Sequence, residues 1–237
     1  RDCLLSRGLG DVYKRQRKNH VSKILYAQSF GDIKNYAEKD ILLKPDMKPD
    51  FSYNTDHTIY VMTKNFTVDM IKNYNQMYGI SAFIFRLPTI YLYSKTDTYF
   101  VDGEERKIGY RLLIDNAIEG KDIEIWGDKT RKKDMVYVKD FCQMMYKALI
   151  SDRKFGHYNV GTGVGTSLEK QIEGIIDVFS DGVHKSKIIE RKDKPNSPQY
   201  IMDIQNAKDE LGYEPKYNYI EMLKDLKREM NEKRFDC

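Results

Sequence analysis

The sequence predicts an α/β fold around a mainly parallel sheet. Three observations support that expectation. Apolar runs of strand length recur at 23–27, 80–86, 123–126 and 135–138, stretches of helical period separate them, and Gly79, Gly120 and Gly127 stand where one kind of segment gives way to the next. Parallel strands need long crossovers, and helices are the usual ones. No internal repeat is visible.

Residues 1–16 (RDCLLSRGLGDVYKRQ) show neither period and do not begin with Met, so they read as a non-native or irregular leader. From Val21 the pattern is regular. Lys23–Ala27 is a buried strand. Phe30–Thr55, with Pro45, Pro49 and many lysines, is a long irregular connection of the kind that is usually functional or disordered. Asn54, Thr55 or Asp56 caps a helix that runs to about Tyr78 and stops at Gly79. Ile80–Arg86 is a second strand, ended by Leu87-Pro88. A helix is expected over Glu105–Glu119, strands over Ile123–Trp126 and Met135–Val138, and a helix over Phe141–Ile150. Tyr158–Val160 leads into the turn Gly161-Thr162-Gly163-Val164-Gly165, and Ser167 opens another helix. Ile188-Ile189 is a strand, and helices over Asp203–Leu211 and Tyr219–Glu232 close the chain.

Composition narrows the function classes. With 41% apolar and 32% charged residues, 237 residues can bury a substantial core, and wholesale disorder is not expected. The 40 basic and 36 acidic residues are interleaved and leave a net charge of +4, too little for a dedicated nucleic-acid binder. Cys3, Cys142 and Cys237 lie far apart, and the histidines at 20, 57, 157 and 184 are equally scattered. No disulfide scaffold or metal site is expected, and a reducing cytoplasm suits the count. The most apolar stretch, Ile80 to Tyr93, contains Arg86 and is too short to span a bilayer.

The sharpest chemical feature is Tyr60-Val61-Met62-Thr63-Lys64 near a helix start. Spacing of i and i+4 places phenol and ammonium on one face. A free phenol is a poor base at neutrality, and a neighbouring cation favours its ionised form. Tyr60 and Lys64 therefore have the makings of a base that removes a hydroxyl proton while hydride leaves the same carbon. Alone, the motif recurs by chance, and a tyrosine at a helix start also serves packing.

The surroundings of that motif resemble a family. Val21-Ser22-Lys23-Ile24-Leu25-Tyr26-Ala27-Gln28-Ser29 is similar to the strand of extended short-chain dehydrogenases that ends in the catalytic Ser or Thr, with Ser29 on that position. Phe30-Gly31-Asp32 resembles the family's Tyr-Gly-Asp, and Arg86-Leu87-Pro88-Thr89-Ile90-Tyr91 its Arg-x-x-Asn-x-Tyr. Residues 127–140 (GDKTRKKDMVYVKD) resemble its Gly-Asp-Gly…Arg-Asp-Phe-x-x-Val-x-Asp. Tyr158-Asn159-Val160-Gly161-Thr162-Gly163 and Glu210-Leu211-Gly212-Tyr213-Glu214-Pro215 complete a series in the family's order, covering about 17–230. The chain is thus identified as a member of the NAD-dependent epimerase/dehydratase family, resembling sugar-nucleotide 4-epimerases.

The resemblance implies a partial Rossmann-type doubly wound parallel sheet with a smaller α/β substrate-binding lobe. Residues 17–88 would belong to the cofactor domain, with 134–155 returning to it, and 89–133 and 156–237 would form the lobe. It implies bound NAD, or NADP, since the ribose-reading segment is not in this chain. In the implied triad Ser29 hydrogen-bonds the substrate hydroxyl, Tyr60 takes its proton, and Lys64 also holds the nicotinamide ribose. Pro88 and Thr89 would line the nicotinamide pocket, Thr89 also meeting the sugar, and a homodimer would pack through the Tyr60 helix, where Phe66, Met70, Tyr74 and Met77 recur at helical spacing.

Departures limit what is carried over. The Gly-rich dinucleotide fingerprint is missing, so the chain is expected to be cut at its N-terminal side. Gly161–Gly165 lies too far downstream and has the wrong spacing to replace it. Lys133 and Lys194 stand where relatives carry arginines that grip the nucleotide diphosphate, keeping the charge but losing the bidentate fork. For this basic cluster a solvated turn remains the alternative. Phe30-Gly31 follows Ser29 where dehydratases of the family carry Asp-Glu. What remains is epimerisation of a nucleotide sugar, with simple reduction or a catalytically inactive binding module as alternatives.

Overall fold

The computed structural model describes residues 18–39, 41–101 and 103–234. In chain order the strands are β1 (Lys23–Ser29), β2 (Leu42–Leu43), β3 (Ser81–Leu87), β4 (Ile90–Tyr91), β5 (Thr98–Val101), β6 (Glu104–Lys107) and β7 (Ile123–Trp126). They continue as β8 (Lys132–Asp134), β9 (Val136–Tyr137), β10 (Phe155–Asn159), β11 (Gly165–Ser167), β12 (Ile188–Arg191) and β13 (Ile201–Met202). The α-helices are α1 (Thr58–Tyr78), α2 (Gly109–Ile118), α3 (Val138–Ile150), α4 (Leu168–Phe179), α5 (Gln205–Leu211) and α6 (Tyr219–Glu232).

The main sheet is parallel, in the order β1-β3-β10. Its central strand is buried from Ser81 to Arg86, as a strand covered on both faces must be. Alternation along it assigns the two faces. Ala82 and Ile84 pack with Val68 and Ile71 of α1, whereas Phe83 and Phe85 pack with Phe141, Met144 and Ala148 of α3. One helix per face makes the sheet doubly wound, as expected. A second core joins α2, α4 and α6 to β7, through Ile114, Ile123, Ile125, Ile175 and Leu223, and forms the smaller lobe.

Several boundaries differ from the sequence expectation. The connection after β1 is not wholly irregular: Phe30–Lys39 is a 3-10 helix, kinked at Ile33. Ile33 and Ala37 bury themselves against the Phe85 core, and a tertiary contact of this kind gives no local signal. The helix expected from Glu105 starts only at Gly109. Its first residues are instead β6, paired with β5, and Gly103 at φ +79° makes the reversal between them. The strand expected over Met135–Val138 is shorter: Val136–Tyr137 pairs with β4, Val138 already belongs to α3, and the preceding Lys132–Asp134 is a separate strand paired with β11. The expected boundary at 155/156 falls inside β10, whose register on β3 keeps Gly156–Asn159 in the main sheet. Tyr200, Met202, Ile204, Ala207 and Tyr213 also return to the core of that sheet. The leader expected over 1–16 and the cysteines at 3 and 237 lie outside the described residues.

Candidate active site

Ser29 is the last residue of β1, opposite Leu87 of β3, at the carboxyl end of the sheet where open α/β folds bind their ligands. Its hydroxyl accepts a hydrogen bond from Gly31 N–H at 3.1 Å. A Cβ on Gly31 would lie 2.9 Å from Val61 Cγ2 and 3.2 Å from Ser29 Oγ. Glycine there lets the turn after Ser29 press against the first turn of α1. Behind the turn, Arg86 and Asp32 form a fully buried ion pair, Nε to Oδ1 at 3.0 Å and Nη2 to Oδ2 at 2.9 Å. Arg86 also donates through Nη1 to the Pro45 carbonyl at 3.0 Å, so one side chain ties the connecting loop to the sheet.

Helix α1 begins at Thr58, one turn after Ser52–Thr55. None of the three expected caps serves. The capping position is His57, which makes no side-chain cap bond, and the hydroxyl of Thr58 donates to the Ser52 carbonyl at 3.1 Å. This start points Tyr60 outward, 52% exposed. Lys64 lies one turn on, its ammonium 5.6 Å from the centroid of the Tyr60 ring and 5.1 Å from that of Tyr26. The ammonium also donates to the Ala27 carbonyl at 2.9 Å, two residues before Ser29. Burial holds the Lys64 pKa below the ordinary lysine value. The three residues singled out from the sequence thus converge: Ser29 and Tyr60 line one cavity of about 490 Å³, and Lys64 joins the strand of one to the ring of the other.

A second cavity, of about 710 Å³, opens between α2, β7 and α4. His57, Thr89, Lys133 and Tyr200 line both cavities and so mark their junction. Lys133 is half-buried there, and burial together with neighbouring Arg131 pushes its pKa down. Lys194 lies elsewhere. Its ammonium stands 5.6 Å over the ring of Trp126, and Trp126 lines the second cavity while Lys194 lines neither. Pro88 is buried and lines neither cavity.

The glycine-rich turn 161–165 has its own occupant. Thr162 N–H and Gly163 N–H donate to the two carboxylate oxygens of Asp134, at 2.8 and 3.0 Å, and the Thr162 hydroxyl adds a third bond at 2.6 Å. Asp134 is fully buried. Amides already bound to an internal carboxylate cannot cradle a phosphate.

Sequence reasoning missed His57, Tyr200 and Lys34 as cavity residues. His57 could have been found, since it precedes Tyr60 by three residues on the same helical face. Tyr200 is one of 18 tyrosines and reaches the junction only because its backbone bridges to that of Lys133 and its ring joins the core beneath the sheet. Burial pushes its phenol up to about 12, so it is a donor at neutrality.

A nicotinamide cofactor can be tested against these groups. A half-exposed phenol, a lysine beside it and a serine hydroxyl at one cavity wall are the donors a ribose diol and a reacting carbinol require, so the residues present fit that end of the cofactor.

Comparison with known proteins agrees with this architecture. A protein of Methanocaldococcus jannaschii provisionally named UDP-glucose 4-epimerase is 26% identical over 226 residues, which are 94% of this chain and 67% of that protein. The crystal structure of a UDP-glucose 4-epimerase from Thermotoga maritima with UDP-glucose superposes at a TM-score of 0.75 with 21% identity, covering 94% of this chain and 69% of the other. That of the UDP-glucose 4-epimerase of Thermus thermophilus in complex with NAD gives 0.70 and 18%, covering 93% and 68%. At such identities the structural likeness shows the fold alone. The chain spans about two thirds of the length of each of these proteins. The model of the NAD dependent epimerase/dehydratase family matches residues 8–161, well over half the chain. By that match, and by a doubly wound sheet with Ser29 and Tyr60 at its carboxyl end, this chain belongs to the NAD dependent epimerase/dehydratase family.

Proposed function

We propose that this chain carries the catalytic groups and the substrate-binding lobe of an NAD-dependent sugar-nucleotide epimerase. The observation that supports it most is that the Tyr60 phenol and the Ser29 hydroxyl open into one cavity, with the Lys64 ammonium held between the Tyr60 ring and the Ala27 carbonyl. Ser29 accepts or donates a hydrogen bond at the substrate carbinol and fixes its orientation. Tyr60 removes the hydroxyl proton and returns it, and Lys64 keeps positive charge beside the oxygen where negative charge develops. NAD, when bound, would supply a reversible hydride acceptor for the carbinol carbon.

The second cavity, reached past Lys133 and Tyr200, suits the nucleotide, with the diphosphate crossing the junction at Lys133. Thr89 faces both the sugar and the cofactor ring in this reading, Pro88 supports Thr89 from the core, and Lys194 caps the outer face of Trp126. The outward face of α1 carries Ile59, Met62, Phe66 and Met77, all exposed, and a second copy of the protein would cover it.

Nothing after Ser29 supplies an acid–base pair for dehydration, since Phe30 and Gly31 follow it. The test is interconversion of 4-epimeric UDP-sugars, UDP-glucose with UDP-galactose and UDP-glucuronate with UDP-galacturonate, by purified protein supplied with NAD, followed by proton NMR. Interconversion without net change in NAD supports the epimerase. Stoichiometric consumption of NADH with a keto sugar would instead identify a reductase, and no turnover of either kind would leave a binding module.

A further inference from the structure

We propose that the sugar presented to Tyr60 carries a carboxylate, and that Lys34 recognises it. This rests on the assignment of Ser29 and Tyr60 to the reacting end of the cavity. Besides the phenols of Tyr60 and Tyr200, four titratable side chains line that cavity: Lys34, Glu38, His57 and Lys133. The acid among them is already committed, because Glu38 pairs with Arg131. His57 has Asp56 at 3.9 Å, too far for a hydrogen bond. Lys34 and Lys133 pair with no carboxylate among the described residues. Among the described residues, these two ammonium groups of the lining thus have no carboxylate partner.

The two lysines occupy different stations. Lys133 lines both cavities and stands at their junction, where a diphosphate linking nucleoside to sugar would pass. Lys34 lines only the first cavity, on the 3-10 helix that leaves Ser29, five residues beyond it. A diphosphate held at the junction accounts for Lys133 and leaves Lys34 beside the hexose. The same cavity is also lined by Ser52 and Thr55, which are neutral hydrogen-bonding residues. A neutral hydroxymethyl group would use these hydroxyls and leave the ammonium solvated. A carboxylate at the same position would use both, since a charge-assisted bond to an ammonium is about twice as strong as a neutral one. The substrate class that fits the wall is a nucleotide-linked sugar acid.

The probes are UDP-glucuronate and UDP-glucose, which share nucleoside, diphosphate and ring and differ at the carboxylate. Their affinities for the purified protein are measured by calorimetry, with no turnover required. The acid should bind about ten- to a hundredfold more tightly than the neutral sugar. That ratio should collapse toward one in Lys34→Gln and return in Lys34→Arg. In Lys133→Ala both sugars should weaken and the ratio should persist. Equal affinities in the parent protein, or an unchanged ratio in Lys34→Gln, would overturn the proposal. A Tyr60→Phe variant that keeps parental turnover would instead refute the assignment of the reacting end, a result the affinity ratio does not share.

Discussion

Three side chains of the proposed site, Tyr60, Ser29 and Lys133, serve different roles, and changing each removes something different. Tyr60→Phe removes the proton-carrying oxygen but keeps the ring above Lys64. Turnover should fall by about a hundred- to ten-thousandfold with an unchanged circular dichroism spectrum. Ser29→Ala removes one hydrogen bond and no proton carrier, so its loss should be smaller. Lys133→Ala should raise KM for UDP-glucose far more than it lowers kcat, because a diphosphate contact is present in ground and transition states alike. Steady-state kinetics of the three variants separates the roles, and parental turnover in Tyr60→Phe would mean that the triad is misassigned. A fourth residue, His157, reports on the sheet beneath the site. Its Nε2 lies 2.7 Å from Gln28 Oε1, and since Gln28 Nε2 donates to Asp32 and Asn65, the histidine must be the donor. Burial, aided by Arg86 and Lys72, lowers its pKa to about 3. The unfolded chain, with an ordinary histidine near pH 6.5, therefore binds a proton between pH 6.5 and about 3 that the folded chain refuses. Stability from this residue is fully present above pH 6.5 and is lost as pH falls toward 3. Chemical denaturation at pH 7 and pH 5 should show that loss, and His157→Gln should reduce it.

At the scale of elements, α1 and the connection before it differ in what holds them. Helix α1 has a long apolar period and a glycine stop, and local signals place it within four residues at its start. The 3-10 helix Phe30–Lys39 has no such support and depends on Arg86, which joins Asp32 to the loop carbonyls of Pro45 and Met47. Replacing Arg86 by Met leaves the Asp32 carboxylate buried without its counter-ion. Breaking a buried pair from one side typically costs about 3–5 kcal/mol, which for a chain of this size corresponds to a fall in Tm of roughly 10 °C. The double change Arg86→Met with Asp32→Leu should recover part of that loss, because the uncompensated charge is gone. Calorimetric melting of single and double variants checks both expectations, and a double variant no more stable than Arg86→Met would show that the loop contacts, not the charge pair, carry the stability.

At the scale of the whole molecule, the outer face of α1 tests the proposed assembly. Of the four residues that recur along it, Phe66 and Met77 are exposed, whereas Met70 and Tyr74 pack partly against the sheet core. The stripe thus divides between an intramolecular role and an open one. A homodimer formed through the open part should appear as twice the protomer mass in light scattering at micromolar concentration, and Phe66→Glu should return it to the monomer, since burying an unpaired charge at an apolar contact is strongly unfavourable. A parent protein that is monomeric under the same conditions would exclude this interface.

Much of the reading needed only local order. The YxxxK spacing, a strand over Lys23–Ala27 and the alternation of strands with helices are written in consecutive residues, because helical and strand periods are properties of neighbours in the chain. Tyr60 and Lys64 could be singled out for that reason, and Ser29 by the resemblance of residues 21–29 to a family strand. What only the tertiary structure decided is everything that depends on distant segments meeting. Asp134 silences the glycine-rich turn from 28 residues away, and Arg86 shapes a loop 41 residues earlier. Tyr200 and Lys34 reach one cavity from 166 positions apart, the difference of their numbers. Lys133 and Lys194, alike as charges in the sequence, are separated by the fold, one placed at the junction of two cavities and the other laid on a tryptophan. Hydrophobic burial against a shared sheet brings such segments together without regard to their sequence separation, and no local pattern records it.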